Sequence, residues 1–118
     1  MSGTGERFGA RVRRLREARE IGLRPFARMI GVSATYLSKI ERDELPPPAE
    51  ARVKEIARRL DQDPDELLAL AGKVASDVSA IIRERPREMA SFLRTASGLG
   101  PEEIRHLEED ARRRKAGS

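Results

Sequence analysis

The sequence predicts an all-α protein, a compact domain with an appendage, and three features support this prediction. Apolar residues recur at helical spacing along nearly the whole chain, whereas no segment shows the alternation of a half-buried strand. Prolines and glycines divide the chain into short segments, as is typical of helices that begin near proline and end at glycine. Residues 22–42 are the most informative segment, because they predict two short helices joined by a tight turn.

The first helix is predicted over residues 6–19, ahead of this motif. Its inner face is expected to hold apolar side chains, those of Phe8, Val12, Leu15 and Ala18. The second helix begins the motif, and its apolar residues have the spacing of one buried helical face, at Leu23, Phe26, Ala27 and Ile30. Gly31 is predicted to end this helix, because a residue without a Cβ fits the left-handed conformation best.

The third helix is predicted to begin after Ser33, which is a natural N-cap. Val32 is expected to be a buried plug between the two helices of the motif. Leu37 and Ile40 point inward at helical spacing. The residues left facing outward are small or polar: Ala34, Thr35, Ser38 and Lys39. This is the layout of a helix-turn-helix, whose second helix enters the major groove of DNA.

Two more helices are expected to complete this domain, which is predicted to span residues 1–72. Residues 41–48 include three consecutive prolines, which cannot donate hydrogen bonds within a helix, so they predict a loop. A fourth helix over residues 49–60 is expected to bury apolar residues, namely Ala51, Val53, Ile56, Ala57 and Leu60. A fifth begins at Pro64 and ends at Gly72, with inward-facing leucines at positions 67, 68 and 70.

The run GVSATYLSKIER, residues 31–42, resembles the corresponding run of the Cro/C1-type (XRE) family of helix-turn-helix transcriptional regulators, and the resemblance extends over residues 7–72. It implies a five-helix DNA-binding domain, double-stranded DNA as partner, and a structural ion pair between Arg11 and Glu41. The chain departs from the family where a phosphate-contacting Gln is often found, since that position is Leu23. Arg24 is the expected substitute as phosphate anchor.

Eight residues are expected to contact DNA: Arg24, Ser33, Ala34, Thr35, Tyr36, Ser38, Lys39 and Arg42. The third helix begins at Ser33 with free backbone N–H groups, which suit a phosphate. Thr35 and Ser38 can hydrogen-bond base edges, and the side chains of Ala34 and Thr35 can contact a thymine methyl group. Lys39 can reach a guanine or a phosphate. Tyr36 either donates to a phosphate or covers the edge of the motif, and Arg24 and Arg42 are either backbone anchors or solvated charges.

Residues 73–118 predict a helical extension. Helical spacing indicates helices over residues 74–84, from Pro86 to Ser97, and from Pro101 through the basic run 112–115. That basic run is interpreted as a solvated helix end, although it could also clamp phosphates. Because these helices carry too few apolar residues for a core of their own, they are expected to pack on the first domain, on one another or on a second copy. A homodimer is the favoured interpretation and a monomeric helical lid is the alternative, since family members read paired half-sites.

Charge and residue types narrow the possible functions. The net charge is +4, and residues 1–45 hold ten Lys or Arg against six Asp or Glu, so the positive excess lies around the motif. The chain has no cysteine, which excludes disulfides and thiolate metal sites. Its single histidine, His106, lies among glutamates and is expected to be exposed rather than a metal ligand. No nucleophile–base pair or glycine-rich phosphate loop is visible, so neither enzymatic activity nor a cofactor is expected.

The expected location is the cytoplasm, in association with the nucleoid. No apolar run approaches the length of a membrane span, and the N-terminus lacks the apolar core of a signal peptide. The leading hypothesis is a sequence-specific transcriptional regulator, a repressor that binds a palindromic operator as a homodimer. The alternative is an antitoxin or mobile-element repressor, in which residues 73–118 bind a partner protein (a toxin or a protease) and DNA binding serves autoregulation.

Overall fold

The computed structural model describes residues 5–117, which form eight α-helices and no strand. The prediction of an all-α fold is confirmed for this part of the chain. The helices are α1 (Phe8–Ala18), α2 (Leu23–Met29), α3 (Ala34–Glu41), α4 (Glu50–Arg59), α5 (Pro64–Leu70), α6 (Ser76–Glu84), α7 (Pro86–Ala96) and α8 (Pro101–Ala116). The chain divides into two compact units, Met1–Ser76 (unit 1) and Asp77–Ser118 (unit 2).

The core of unit 1 is built almost entirely from aliphatic side chains and two phenylalanines. The buried apolar residues are Phe8, Val12, Phe26, Ala27, Ile30, Leu37, Ile40, Val53, Ile56, Ala57, Leu60, Leu67, Leu68 and Ala75. Two predicted core positions are wrong, because Ala18 and Ala51 are exposed. Ala51 lies two residues from Val53, about 200° around α4, and therefore faces away from the buried stripe. Ala18 likewise lies two residues from the buried Arg16, about 200° around α1, and faces away from the buried stripe.

All five helices of unit 1 end in the same hydrogen-bonded turn. At the end of α2, the Val32 N–H donates to the Ala27 carbonyl at 2.9 Å and the Gly31 N–H donates to the Arg28 carbonyl at 3.2 Å. This pair of bonds satisfies the last carbonyls of the helix and requires a positive φ at the residue between, which is +73° at Gly31. The turn stops α2 abruptly, and α3 begins at Ala34, three residues after Gly31.

The start of α1 lies directly against the end of α3. A Cβ atom on Gly9 would collide with the carbonyl oxygens of Ile40 and Glu41, so this approach requires glycine. The Asp43 carboxylate accepts a hydrogen bond from the Gly9 N–H at 3.1 Å. Asp43 thereby supplies the cap that Arg7, the N-cap residue of α1, does not provide. These contacts fix the end of α3 against α1.

A buried ion pair joins α1 to α3, but its cation is not the predicted one. The Glu41 carboxylate accepts hydrogen bonds from Arg16 Nε at 2.8 Å and Arg16 Nη2 at 2.9 Å, so the predicted Arg11–Glu41 pair is wrong. Arg11 instead donates to Glu6 at 2.6 Å. Side chains on a helix point toward the N-terminus of that helix. The Glu41 side chain points in this direction along α3, and its carboxylate lies beside Arg16 in the second half of α1 rather than beside the first turn of α1. Arg16 also donates to the Ile21 carbonyl at 2.8 Å, which satisfies more of its guanidinium.

Residues 73–76 connect α5 to α6 and still belong to unit 1. Ala75 is buried in the core, and the Ser76 N–H donates to Glu50 at 3.1 Å. The first domain therefore extends past its predicted end at residue 72 in the structure, and α6 begins at Ser76 rather than residue 74.

Unit 2 contains the rest of α6 together with α7 and α8, and none of its described residues is buried. Its large apolar side chains are exposed instead, namely Val78, Ile81, Phe92, Leu93, Leu99, Ile104 and Leu107. The α8 helix begins after Gly100, whose N–H donates to the Glu103 carboxylate at 2.9 Å. The helices of unit 2 therefore have no enclosed core of their own, as the sequence predicts.

Candidate nucleic-acid interface

The outer face of α3 and the start of α2 form one shallow cleft, which we call the Ser38 cleft. It is lined by Leu23, Arg24, Ala34, Thr35, Ser38 and Arg42. Five of the eight residues that the sequence predicts to contact DNA are thus brought together on one surface. Leu37, Ile40 and Glu41 occupy the opposite side of α3 and are buried, so they hold this surface outward. A small residue, two hydroxyl groups and two guanidinium groups can approach base edges and phosphates from here.

The three other predicted contact residues lie outside this cleft. Ser33 caps α3, since its Oγ accepts a hydrogen bond from the Tyr36 N–H at 3.0 Å. Lys39 is exposed on the outer face of α3. Tyr36 is half-buried and packs against the core, as expected for a ring that covers the edge of the motif. It also lines a second cleft, on the other flank of α3. Its hydroxyl group remains a candidate phosphate donor.

The charges around the motif are strongly one-sided. From Ile21 to Ile40 the sequence has no Asp or Glu, and it has Arg24, Arg28 and Lys39. None of these three cations has an ion pair with a described residue. In unit 1 outside the motif, most cations are paired with nearby carboxylates, as Arg13 is with Glu17 and Lys54 is with Glu50. The positive charge that unit 1 leaves uncompensated is therefore concentrated on and around the two helices of the motif.

Arg42 is held near the Ser38 cleft by weak contacts. Its Nε donates to the Ser38 carbonyl at 3.3 Å and lies 3.3 Å from the Glu44 carboxylate, and both side chains are about half exposed. An exposed pair of this kind contributes little to stability. Arg42 can consequently exchange Glu44 for a phosphate at small cost.

Sequence reasoning missed three arginines that shape this surface. Arg16 anchors Glu41 beneath α3, and Arg28 is exposed near the end of α2. Arg52, in the first turn of α4, donates through Nη1 to the Ile30 carbonyl and so fastens the turn of the motif to α4. Of the three, only Arg28 could have been identified from the sequence, because it lies within the segment from Ile21 to Ile40 that has no acidic residue. The partners of Arg16 and Arg52 are 25 and 22 residues away along the chain.

Other kinds of site find little support in residues 5–117. No group of three or more His, Asp or Glu side chains is arranged to hold a metal ion there. His106 is exposed on α8, as predicted. None of the described helices has the length and apolar character needed to cross a membrane.

Five short helices around one core, with the second and third presenting a basic polar face, define a helix-turn-helix protein. A helix-turn-helix domain family model matches residues 7–70. The chain therefore belongs to this family, as a DNA-binding transcriptional regulator of the Cro/C1 type. No curated protein matches it significantly.

Two solved structures are similar to this chain. One is described as the master regulator for biofilm formation SinR in complex with DNA; it is 30% identical, with a TM-score of 0.48, and the match covers 52% of this chain and 97% of that one. The other is a complex of the SinR and SinI proteins; it is 23% identical, with a TM-score of 0.50, and the match covers 92% of this chain and 98% of that one. The second similarity concerns the fold and extends over both units.

Proposed function

We propose that this regulator is a repressor that binds a palindromic operator as a homodimer and performs no catalytic step. The observation that carries the proposal is the Ser38 cleft, because five of its six lining residues lie in the segment from Ile21 to Ile40, which has no acidic residue. A helix presenting hydroxyl groups and small side chains beside exposed cations suits the major groove, where polar groups read bases and cations hold phosphates. The proposed place of action is the cytoplasm, on nucleoid DNA.

The proposed division of work follows from position. We assign base reading to Ala34, Thr35 and Ser38, of which Thr35 is exposed and the other two are half-buried, and phosphate anchoring to Arg24 and Arg42 beside them. Lys39 is assigned to a base edge or a phosphate on the basis of its reach. Ser33 contributes indirectly, by capping the helix whose free N–H groups then face the DNA.

The homodimer is supported by the surface of unit 2. Seven large apolar side chains are exposed there, which is a large apolar surface for a unit of this size. The charges of α8 favour a second copy as the occupant, because residues 101–109 hold four acidic and one basic residue, whereas residues 110–116 hold one acidic and four basic residues. An antiparallel pair of α8 helices would place each acidic half against a basic half, with opposed helix dipoles.

A protein partner that docks on the same apolar surface is the second candidate function of unit 2. The similar SinR structure contains SinI as a second protein, and exposed Phe92 and Leu93 are suitable anchors for a partner helix. In that case the chain would be better described as an antitoxin or a mobile-element repressor, with a toxin or a protease as its partner. Unit 2 would then bind the partner, and unit 1 would bind the promoter of its own gene.

The testing experiment is selection of the purified full chain against a random duplex library at near-physiological salt. We expect an inverted repeat whose half-sites lie about 10 bp apart, as two copies of a helix-turn-helix require. Thr35→Ala and Ser38→Ala should then relax the preference at one or two base pairs, each by about 1–3 kcal/mol. Lys73→Ala, which removes a cation of unit 1 outside the motif, is the control and should leave the preference unchanged.

Three results separate the candidates. Enrichment of an inverted repeat, with a dimer in sedimentation, supports the dimeric repressor. Enrichment of a single half-site by a monomer contradicts the dimer and favours the partner-binding alternative. Salt-sensitive binding that enriches no sequence would overturn sequence-specific recognition.

A further inference from the structure

We infer that Arg28, Tyr36 and Arg52 form a second phosphate-binding site, which holds the DNA strand on the opposite side of α3 from Arg24 and Arg42. The inference rests on the proposed function and specifies how the same surface grips DNA. The site is an open cleft, which we call the Tyr36 cleft. Side chains from α2, α3 and α4 line it, among them Arg28, Tyr36, Pro48, Arg52 and Glu55.

The position of this cleft follows from helix geometry. Successive residues of α3 are separated by about 100°, so Ser38 and Tyr36 lie about 160° apart around the helix. Thr35 and Lys39 fall in the arc between them, and both are exposed. The Ser38 and Tyr36 clefts therefore flank the outward face of α3. A helix in the major groove has one phosphate strand on each flank, and a cation-lined cleft faces each of them.

The chemistry of the Tyr36 cleft suits a phosphate diester. Arg28 is exposed and has no ion pair with a described residue, so its guanidinium can bind an anion without breaking an existing bond. Arg52 uses Nη1 for the Ile30 carbonyl, which orients the guanidinium and leaves its other nitrogens available. The Tyr36 hydroxyl can donate to a phosphate oxygen. The first turn of α4, which has no side-chain cap, adds the positive end of a helix dipole.

The carboxylate in this cleft does not reverse its charge. Glu55 accepts hydrogen bonds from Arg58 at 2.6 Å and from Arg59 at 2.8 Å, so two guanidinium groups balance its single negative charge. These bonds, the one from Arg58 foremost, lower the pKa of the Glu55 carboxyl group. The cleft and its rim therefore keep a positive excess at neutral pH.

The test measures affinity for the selected operator, and for a scrambled duplex, as a function of salt concentration. Arg28→Ala should weaken binding to both duplexes by a similar factor, roughly three- to tenfold at near-physiological salt. It should also reduce the slope of log K against log salt by about 0.9 for each phosphate that a half-site no longer binds. Tyr36→Phe should weaken both duplexes by a smaller, equal factor, because it removes one hydroxyl donor. Lys73→Ala, with the same loss of charge, should change neither value.

Circular dichroism verifies that Arg28→Ala remains folded, and Arg28→Gln serves as a second variant that retains the length of the side chain. An unchanged salt slope in both Arg28 variants, with Thr35→Ala still altering base preference, would overturn the second phosphate site and leave the proposed function intact. A change of base preference in the Arg28 variants would also overturn it, since that result places Arg28 on a base. If Thr35→Ala and Ser38→Ala change nothing either, the proposed function itself fails.

Discussion

Unit 1 and unit 2 are both built from short amphipathic helices, yet the large apolar side chains are mostly buried in unit 1 and mostly exposed in unit 2. In unit 1 they meet in one core, and Phe26 has 0% of its surface exposed. In unit 2 the corresponding large residues remain on the surface, and Phe92 is 52% exposed. Helical spacing of apolar residues thus indicates that a face will be covered, but it does not specify whether the cover comes from the same chain.

The two units also use charge differently. The cations of α8 are largely engaged by acids one turn away, as in the pairs Glu108–Arg112 and Asp110–Arg114. The motif of unit 1 has no Asp or Glu from Ile21 to Ile40. Its cations Arg24, Arg28 and Lys39 have no carboxylate partner among the described residues. Local pairing weakens the attraction of the α8 cations for phosphates, whereas unpaired cations produce a surface able to attract them.

The largest expected effect comes from truncating one phenylalanine in each unit. Phe26→Ala should lower the free energy of unfolding of unit 1 by about 3–5 kcal/mol, because it leaves a cavity in a closed core. Phe92→Ala should leave that transition unchanged and weaken self-association at least about tenfold, because in the proposed homodimer it removes an anchor of the interface. Urea titration followed by tyrosine fluorescence reports unit 1 alone, since Tyr36 is the only tyrosine and the chain has no tryptophan.

If Phe26→Ala does not fold, Phe26→Leu provides a milder version of the same measurement. Sedimentation at several concentrations measures the effect of Phe92→Ala. A loss of unit 1 stability in Phe92→Ala, without change in association, would contradict the contrast between the two units.

The second prediction compares two arginines of α1. Arg16→Met should destabilise unit 1 by about 3 kcal/mol, because it leaves the carboxylate of Glu41 buried without a partner; the side chains of this pair are only 9% and 4% exposed. Arg11→Met should have a much smaller effect, because its partner Glu6 keeps Arg14. Chemical denaturation of the two variants measures both values, and similar losses would contradict the assignment of Arg16 as the partner of Glu41.

The smallest effect is a pH dependence in unit 1. Hydrogen bonds from Arg14 and then Arg11 lower the pKa of the Glu6 carboxyl group from 4.5 to about 2. Since the folded-state pKa is the lower one, the stability that Glu6 contributes is present above pH 4.5 and is lost as the pH falls toward about 2. Glu6→Gln should flatten the dependence of the melting temperature on pH across this window.

Asp110→Asn in unit 2 is the control for Glu6→Gln. A hydrogen bond from Arg114 also lowers the pKa of Asp110, but the pair lies within α8. The tyrosine-detected transition of unit 1 should therefore respond to acid as in the unmodified chain. An Asp110→Asn effect on that transition equal to the Glu6→Gln effect would show that acid sensitivity does not distinguish the units.

Much of the fold could be predicted from the sequence because its signals are local. Ser33 caps α3 and Gly31 ends α2 as expected, since each acts on residues within one helical turn. Three other helices of unit 1 end at a positive φ in Glu20, Asp43 or Asp61, and no glycine announces these stops. The surroundings hold those residues in a conformation that their own preference disfavours.

The candidate nucleic-acid interface likewise combines features that local sequence signals predict with features that depend on tertiary packing. The outward residues of α3 could be read from periodicity, because the buried Leu37 and Ile40 set the orientation of the helix. The pairing of Arg11 with Glu41, which the family resemblance implied, was wrong because α1 carries several arginines, and the crossing of α3 over α1 decides which of them reaches Glu41. The Tyr36 cleft was missed for the same reason, since Arg28 and Arg52 are far apart along the chain and meet only when α4 packs against the motif.

By itself the sequence determined the helices, their order, the helix-turn-helix motif and the residues that α3 turns outward, because periodicity and capping act over a few neighbouring residues. Only the tertiary structure decided that Arg16 neutralises Glu41, that Asp43 caps α1 and that two clefts flank α3. These contacts join residues more than 20 positions apart in most cases, and the strength of an ion pair or hydrogen bond depends on a distance of a few ångströms. Such distances are set by the packing of whole helices, and spacing along the chain does not encode them.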